Sequence, residues 1–162
     1  RVDLGAAHSP KGFTSSALVP ELLVSDLQTA LHFWCGLLGF GLAYARPSEA
    51  FAYLALGDAQ VMLEQRDEHQ RQWVTGPLER PLGRGLHLQV TVDAVAPVLD
   101  RLAEAAWPLF SAAEETWYAA GSVETGVRQF LVQDPDGYLV RLAETLGTRD
   151  AHGVGDRLDG GD

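Results

Sequence analysis

Residues 22–40 read LLVSDLQTALHFWCGLLGF, and residues 85–107 read GLHLQVTVDAVAPVLDRLAEAAW. Both pass from an alternating apolar stretch through an aspartate into a run with helical spacing. In the first, Leu22 and Val24 share one strand face and Val19, Glu21 and Leu23 the other. Asp26 is placed to cap a helix over 27–38, where Leu27, Ala30, Leu31, Trp34, Leu37 and Leu38 form one apolar stripe and Gly39 supplies a stop. In the second, Leu86, Leu88, Val90 and Val92 alternate with His87, Gln89 and Thr91. Asp93 is then expected to cap a helix with the stripe Val95, Val98, Leu99, Leu102 and Ala106, and Pro97 falls in its first turn.

Strand-like stretches come after each unit. The first is succeeded by 40–46, 51–56 and 59–66, with a Gly57-Asp58 turn before the last. The second is succeeded by 108–112, 127–133 and 138–144, the last two joined by an Asp134-Pro135-Asp136-Gly137 turn. Residues 114–125 read as a loop or broken strand. A cycle of strand, helix and three strands that occurs twice implies two stacked copies of one motif. The expected organisation is a flexible N-terminal tail over 1–16, a first module over 17–66 and a polar connection over 67–84. A second module over 85–147 and a flexible C-terminal tail over 148–162 complete it.

The composition narrows the partners. Of 162 residues, 46% are hydrophobic and 21% charged, as in a globular chain. Twelve basic against twenty-two acidic side chains give a net charge of −10 and a pI near 4.8. Such a chain has no electrostatic drive toward nucleic acid and favours a cationic ligand. Cys35 is the only cysteine, which excludes an internal disulfide, a thiolate zinc site and a Cys-x-x-Cys redox pair. No apolar run approaches the roughly 18–20 residues of a membrane span, and no secretory leader is visible, so a cytoplasmic protein is expected. Phosphate-loop, Gly-x-Ser-x-Gly and His-Glu-x-x-His motifs are missing.

Three pieces in this order carry a resemblance: Val24-Ser25-Asp26-Leu27 leading to Phe33-Trp34 and Leu38-Gly39-Phe40, then Gly85-Leu86-His87 through Val92-Asp93, then Phe130 through Tyr138. Over about 18–146 the chain resembles the vicinal oxygen chelate superfamily, which includes glyoxalase I, extradiol dioxygenases, and the fosfomycin- and bleomycin-resistance proteins. The resemblance implies an α+β fold of two βαβββ modules whose curved mixed sheets surround a cavity, in a homodimer. It also implies four metal-ligand positions on the first and last strands of the modules. Here they hold Val19, Glu64, His87 and Arg141. Val19 has no lone pair to offer, and Arg141 brings a charge that it cannot discharge. His87 and Glu64 alone fall short of the three or four protein ligands common in catalytic sites. Glu21, on the strand face of Val19, is the one residue that could complete a displaced site.

The arginine at the last position resembles the bleomycin-resistance branch, as does Trp117-Tyr118 followed by Gly126 to Phe130. The expectation is a binding protein, not an enzyme, that sequesters a cationic, partly aromatic glycopeptide antibiotic and conveys antibiotic resistance without a cofactor. The alternative is a glyoxalase- or dioxygenase-like enzyme holding a divalent metal through His87 and Glu64. Expected ligand-binding residues are Glu21, Tyr53, Glu64, Trp73, His87, Trp117 and Arg141, with Arg141 pairing Glu64 if the strands bring them together. Trp73 and Trp117 stand out because they occupy polar, non-periodic stretches; ligand stacking and local packing both remain open for them. Trp34, Trp107 and Cys35 read as packing residues.

Overall fold

The computed structural model describes residues 1–5 and 12–151. The parts of the expected tails at 6–11 and 152–162 lie outside the described residues. The first module runs β1 (Glu21–Val24), α1 (Leu27–Leu31), β2 (Gly41–Arg46), β3 (Phe51–Leu56) and β4 (Ala59–Gln65). The second runs β5 (His87–Thr91), α2 (Ala96–Glu104), β6 (Leu109–Ala120), β7 (Val123–Gln133) and β8 (Leu139–Asp150). Each module forms one mixed four-stranded sheet, in the orders β1-β4-β3-β2 and β5-β8-β7-β6. The first strand pairs parallel with the last in both, and the other pairs are antiparallel.

Asp26 caps α1 as expected, accepting a bond from the Thr29 amide at 2.7 Å. The helix does not continue as a regular α-helix. From His32 to Leu37 it widens into a π-helical turn, with the Leu38 amide donating to the Phe33 carbonyl, and so keeps Phe33, Trp34, Leu37 and Leu38 all buried. Asp93 does not cap α2. That helix starts at Ala96 with no side-chain cap of its own, and Glu144 of β8 accepts the Val95 amide at 2.9 Å instead. A carboxylate from the sheet thereby does the work expected of a local one.

Two other expectations change. The stretch 114–125 is no loop: β6 runs unbroken to Ala120, turns at Gly121-Ser122 and returns as β7. β6 is an edge strand, mostly exposed, and its pairing register shifts near Ser111, so the apolar alternation that marks a half-buried strand never develops. Likewise β8 extends through Asp150, past the boundary expected at 147. The N-terminal stretch is tied down on both sides of the undescribed residues. Val2 and Leu4 pack against the core, and Phe13 lies on Tyr53 with ring centroids 5.1 Å apart.

Both helices lie over their own sheets, and the two helix-bearing faces share one core. Leu22, Val24, Leu54, Val61 and Leu63 of the first sheet join Val90, Phe130, Val132, Val140 and Leu142 of the second. Across the junction Phe33 meets Trp107 at 5.1 Å, and the Arg101 Nε donates to the Leu37 carbonyl. The polar part is supplied by the turn between β7 and β8. Buried Asp134 accepts from the Trp34 indole at 3.2 Å and from the amides of Asp136 and Tyr138. Burial raises the Asp134 pKa, and these donors oppose the shift. Asp136, 2% exposed, accepts from the Ser25 amide and hydroxyl and from the Arg80 guanidinium at 2.7 Å. Gly137 has φ +101°, and a Cβ there would lie 2.5 Å from Pro81, so glycine is required where the connection crosses the turn.

Asp136→Ala removes the acceptor of three hydrogen bonds from two module-linking partners. It should lower the unfolding free energy in urea by about 2–3 kcal/mol, whereas Arg80→Ala, whose guanidinium is largely exposed, should cost less than about 1 kcal/mol. Equal losses would mean that the ion pair, not the Ser25 bonds, carries the junction.

Candidate functional site

The residues that alternate with the core set project from the opposite face of each sheet. On the first sheet these are Glu21 of β1, Met62 and Glu64 of β4, Phe51 and Tyr53 of β3, and Tyr44 and Arg46 of β2. The register places them in rows, with Glu21 beside Met62 and Tyr53, and Glu64 beside Phe51 and Arg46. Over them lies a cleft of ≈270 Å³ with Glu21 and Glu64 on its floor, Tyr44 and Phe51 as an apolar side, and Arg71 and Trp73 at the rim.

The connection between modules makes that rim. Gln72 donates to the Glu64 carboxylate and to the Gln65 carbonyl, both at 2.8 Å, and its own oxygen accepts from Arg66 and the Asp67 amide. This single side chain folds residues 67–73 back over the sheet. It leaves Trp73 86% exposed beside two carboxylates, a position that the packing of the chain does not require. Arg46 is already engaged: its guanidinium lies 3.8 Å over the Phe51 ring and pairs with Glu49 at 2.7 Å. Glu21 therefore feels an unbalanced field. Its carboxyl is pushed above the usual range, first by burial and then by the charge of Glu64, with Arg46 opposing less strongly.

The remaining expected residues are elsewhere. Tyr53 is on the right face but only 2% exposed, under Phe13. His87 and Arg141 project from the open face of the second sheet, where Arg141 donates to the Gln89 side chain and its Nε is buried without a partner among the described residues. Arg141 does not pair with Glu64 within one chain, because each residue points away from the shared core on a different sheet. Trp117 is on neither open face. It shares the face of Phe130, where a Cβ on Gly126 would come within 2.7 Å of its ring, and Arg149 stacks on it at 4.0 Å. Local packing accounts for this tryptophan. Sequence reasoning passed over Gln72, Tyr44 and Phe13; Phe13 carried the same signal as Trp73, an aromatic in a polar stretch.

The donor set does not fit the superfamily's metal. Val19 and Arg141 offer no usable lone pair, Glu64 and His87 are on different faces, and no three of His, Cys, Asp and Glu converge among the described residues. Among the described residues, no helix is long and apolar enough to cross a membrane.

Because the charge of Glu64 is one cause of the Glu21 shift, Glu64→Gln should move the Glu21 titration to lower pH, as read by carboxyl carbon NMR. A cation held between the two should do the same in the wild-type protein, so its affinity should fall as pH drops through the raised Glu21 pKa. An unmoved Glu21 titration in the variant would show that burial alone sets it.

No curated protein is significantly similar to the chain. Solved structures share its fold. A virulence protein of Salmonella typhimurium superposes with a TM-score of 0.59 at 19% identity, over 82% of this chain and 98% of its own. A protein from the mobile metagenome of V. pseudocholerae gives 0.60 at 18%, over 82% and 96%. A bleomycin-binding protein solved with bleomycin gives 0.52 at 20%, over 80% and 98%. The family model matches residues 17–142, which span both sheets and the junction, and on that match the chain belongs to the Glyoxalase/Bleomycin resistance protein/Dioxygenase superfamily.

Proposed function

We propose that the chain is a bleomycin-resistance-type binding protein that sequesters a cationic, partly aromatic small molecule without metal-dependent turnover. The observation that carries this reading is that Glu21 and Glu64 line one open cleft together with Trp73, which is 86% exposed. The charge of Glu64 helps to hold the Glu21 carboxyl above its usual range, and a ligand cation between the two would offset that repulsion. An indole face beside the cation adds attraction of about 0.5–2 kcal/mol, depending on how far it is desolvated. The net charge of −10 draws the ligand in at longer range. Sequestration proceeds by mass action: the protein lowers the free ligand concentration, with no bond made or broken.

In this reading two copies pair, the first-sheet face of each against the second-sheet face of the other. That arrangement encloses the cleft and gives the unpartnered Arg141 Nε and His87 a place opposite Glu64. Arg141 then occupies the position where relatives of the enzyme kind carry a metal-binding carboxylate. We assign the activity to the cytoplasm, where the lone thiol of Cys35, pushed up to about 11 by burial, stays reduced and inert. The fold shared with the bleomycin-binding protein is compatible with this role, and the cleft chemistry supplies the argument for the ligand.

Titration calorimetry with metal-free and copper-loaded bleomycin tests the proposal. Both forms should bind. Trp73→Ala should cost about 1–2 kcal/mol, and Glu64→Gln about 1 kcal/mol or more. Absence of heat at high micromolar concentration would remove this ligand. Sedimentation of wild type and Arg141→Glu tests the pairing: the variant should shift toward monomer.

A further inference from the structure

The N-terminal segment, expected to be a free tail, occupies part of the open face. The Phe13 ring stands edge-on to Tyr53 at 5.1 Å and to Tyr44 at 6.0 Å, and those two tyrosines stack on each other at 5.1 Å. Tyr44 belongs to both places. One side of it lines the cleft with Glu21, Glu64 and Trp73, and it also receives Phe13. Removing Phe13 would thus join the cleft to the covered Tyr53 ring.

The hold on this segment is narrow. Gln60 of β4 donates to the Thr14 carbonyl at 2.9 Å and accepts from the Ser16 amide at 2.8 Å, while its oxygen also receives the Tyr53 hydroxyl at 2.6 Å. Among the described residues, these are the hydrogen bonds that fasten 12–16, and all pass through one side chain. A segment outside any strand, fastened by one glutamine and one half-buried ring, belongs to the part of a structure that opens at least cost. The contact is also one that a foreign ring can copy, since edge-on approach to a tyrosine face needs only an aromatic group.

From this we propose that Phe13 is an intramolecular placeholder: it fills an aromatic subsite on Tyr44 and Tyr53 that the ring of a bound ligand takes over. The inference rests on the reading of the cleft as a cation site and adds the ligand's shape. Tyr53, Met62 and Glu21 lie side by side on β3, β4 and β1, so the ring and the cationic group are about two strand spacings, or roughly 10 Å, apart. The ligand class is an aromatic ring joined to an ammonium or guanidinium group by a short linker. In the ligand-free chain the segment covers Tyr53 and one side of Tyr44 and makes binding weaker than the bare subsite would allow.

The test uses two probes, 4-phenylbutylammonium, which has ring and cation, and butylammonium, which has the cation alone, titrated by NMR at millimolar concentration. Phe13→Ala should bind phenylbutylammonium at least about fivefold more tightly than wild type, with butylammonium unchanged. Gln60→Ala, which frees the segment but keeps the ring, should give a smaller gain, and Phe13→Leu, which keeps an apolar cover, should resemble wild type. Phenylbutylammonium should also speed amide exchange at 14–16. An unchanged or weaker affinity in Phe13→Ala, or slower exchange on binding, would overturn the placeholder and make Phe13 a fixed wall or a mere packing residue. No binding of phenylbutylammonium to Phe13→Ala would do the same. Glu64→Gln separates the two ideas. Loss of both probes there with no effect of Phe13→Ala keeps the cation site and ends the placeholder; a gain in Phe13→Ala with Glu64→Gln unaffected does the reverse.

Discussion

A four-stranded sheet with one crossover helix can bury only the face on which that helix lies. This chain has two such sheets, and their helix-bearing faces close on each other into one core, with Trp34, Phe33 and Phe130 fully buried near the junction. The opposite faces are then left to water, to chain segments folded over them, or to a second copy. That division sets where the chemistry of the molecule can lie. The junction itself is held by an apolar seam and by the turn after β7, whose two aspartates are saturated with donors from the first module, the connection and the turn itself. Two aspartates and a glycine of this turn are here fully used as a structural clasp.

The open face of the first sheet concentrates what the core excludes. Glu21 and Glu64 line one cleft on neighbouring strands, burial and the charge of Glu64 push the Glu21 carboxyl above its usual range, and aromatic rings flank the cleft on one side. Two irregular segments then decide how much of that face is reachable. The connection, through Gln72, builds a rim and presents Trp73; the N-terminal segment, through Gln60 and Phe13, covers Tyr53. Carboxylates, aromatic rings and a covering segment thus meet on this one face. A metal ion would need donors that Val19 and Arg141 do not provide.

Much of this was legible in the residues. The repeat around Asp26 and Asp93, the two-residue alternation of β1, β4, β5 and β8, and the helical stripes each reflect burial on one side, which a linear pattern records directly. The same alternation put Glu21 on the strand face opposite Leu22 and Val24, and the sheet register then brought Glu64 and Tyr53 onto that face. What did not carry over were features whose partner is distant in sequence. Asp93 looked like a cap, yet the Val95 amide is taken by Glu144, 49 residues on. Glu64 and Arg141 looked like a pair, yet they point away from the core on different sheets. β6 gave no alternation because neither of its faces is well buried.

The order of residues alone determined the two-module α+β plan, the superfamily, the presence of Val19 and Arg141 at two positions where the resemblance implies metal donors, and the acidic character, because each depends on local pattern or on residue identity. The tertiary structure alone decided which candidates meet. It separated Glu21, Glu64 and Trp73 from His87 and Arg141, turned Trp117 onto Gly126 and laid Phe13 over Tyr53. Those outcomes depend on how two sheets share a core and how irregular segments cross their outer faces, and contacts between residues far apart in the chain leave no periodic signal in the sequence.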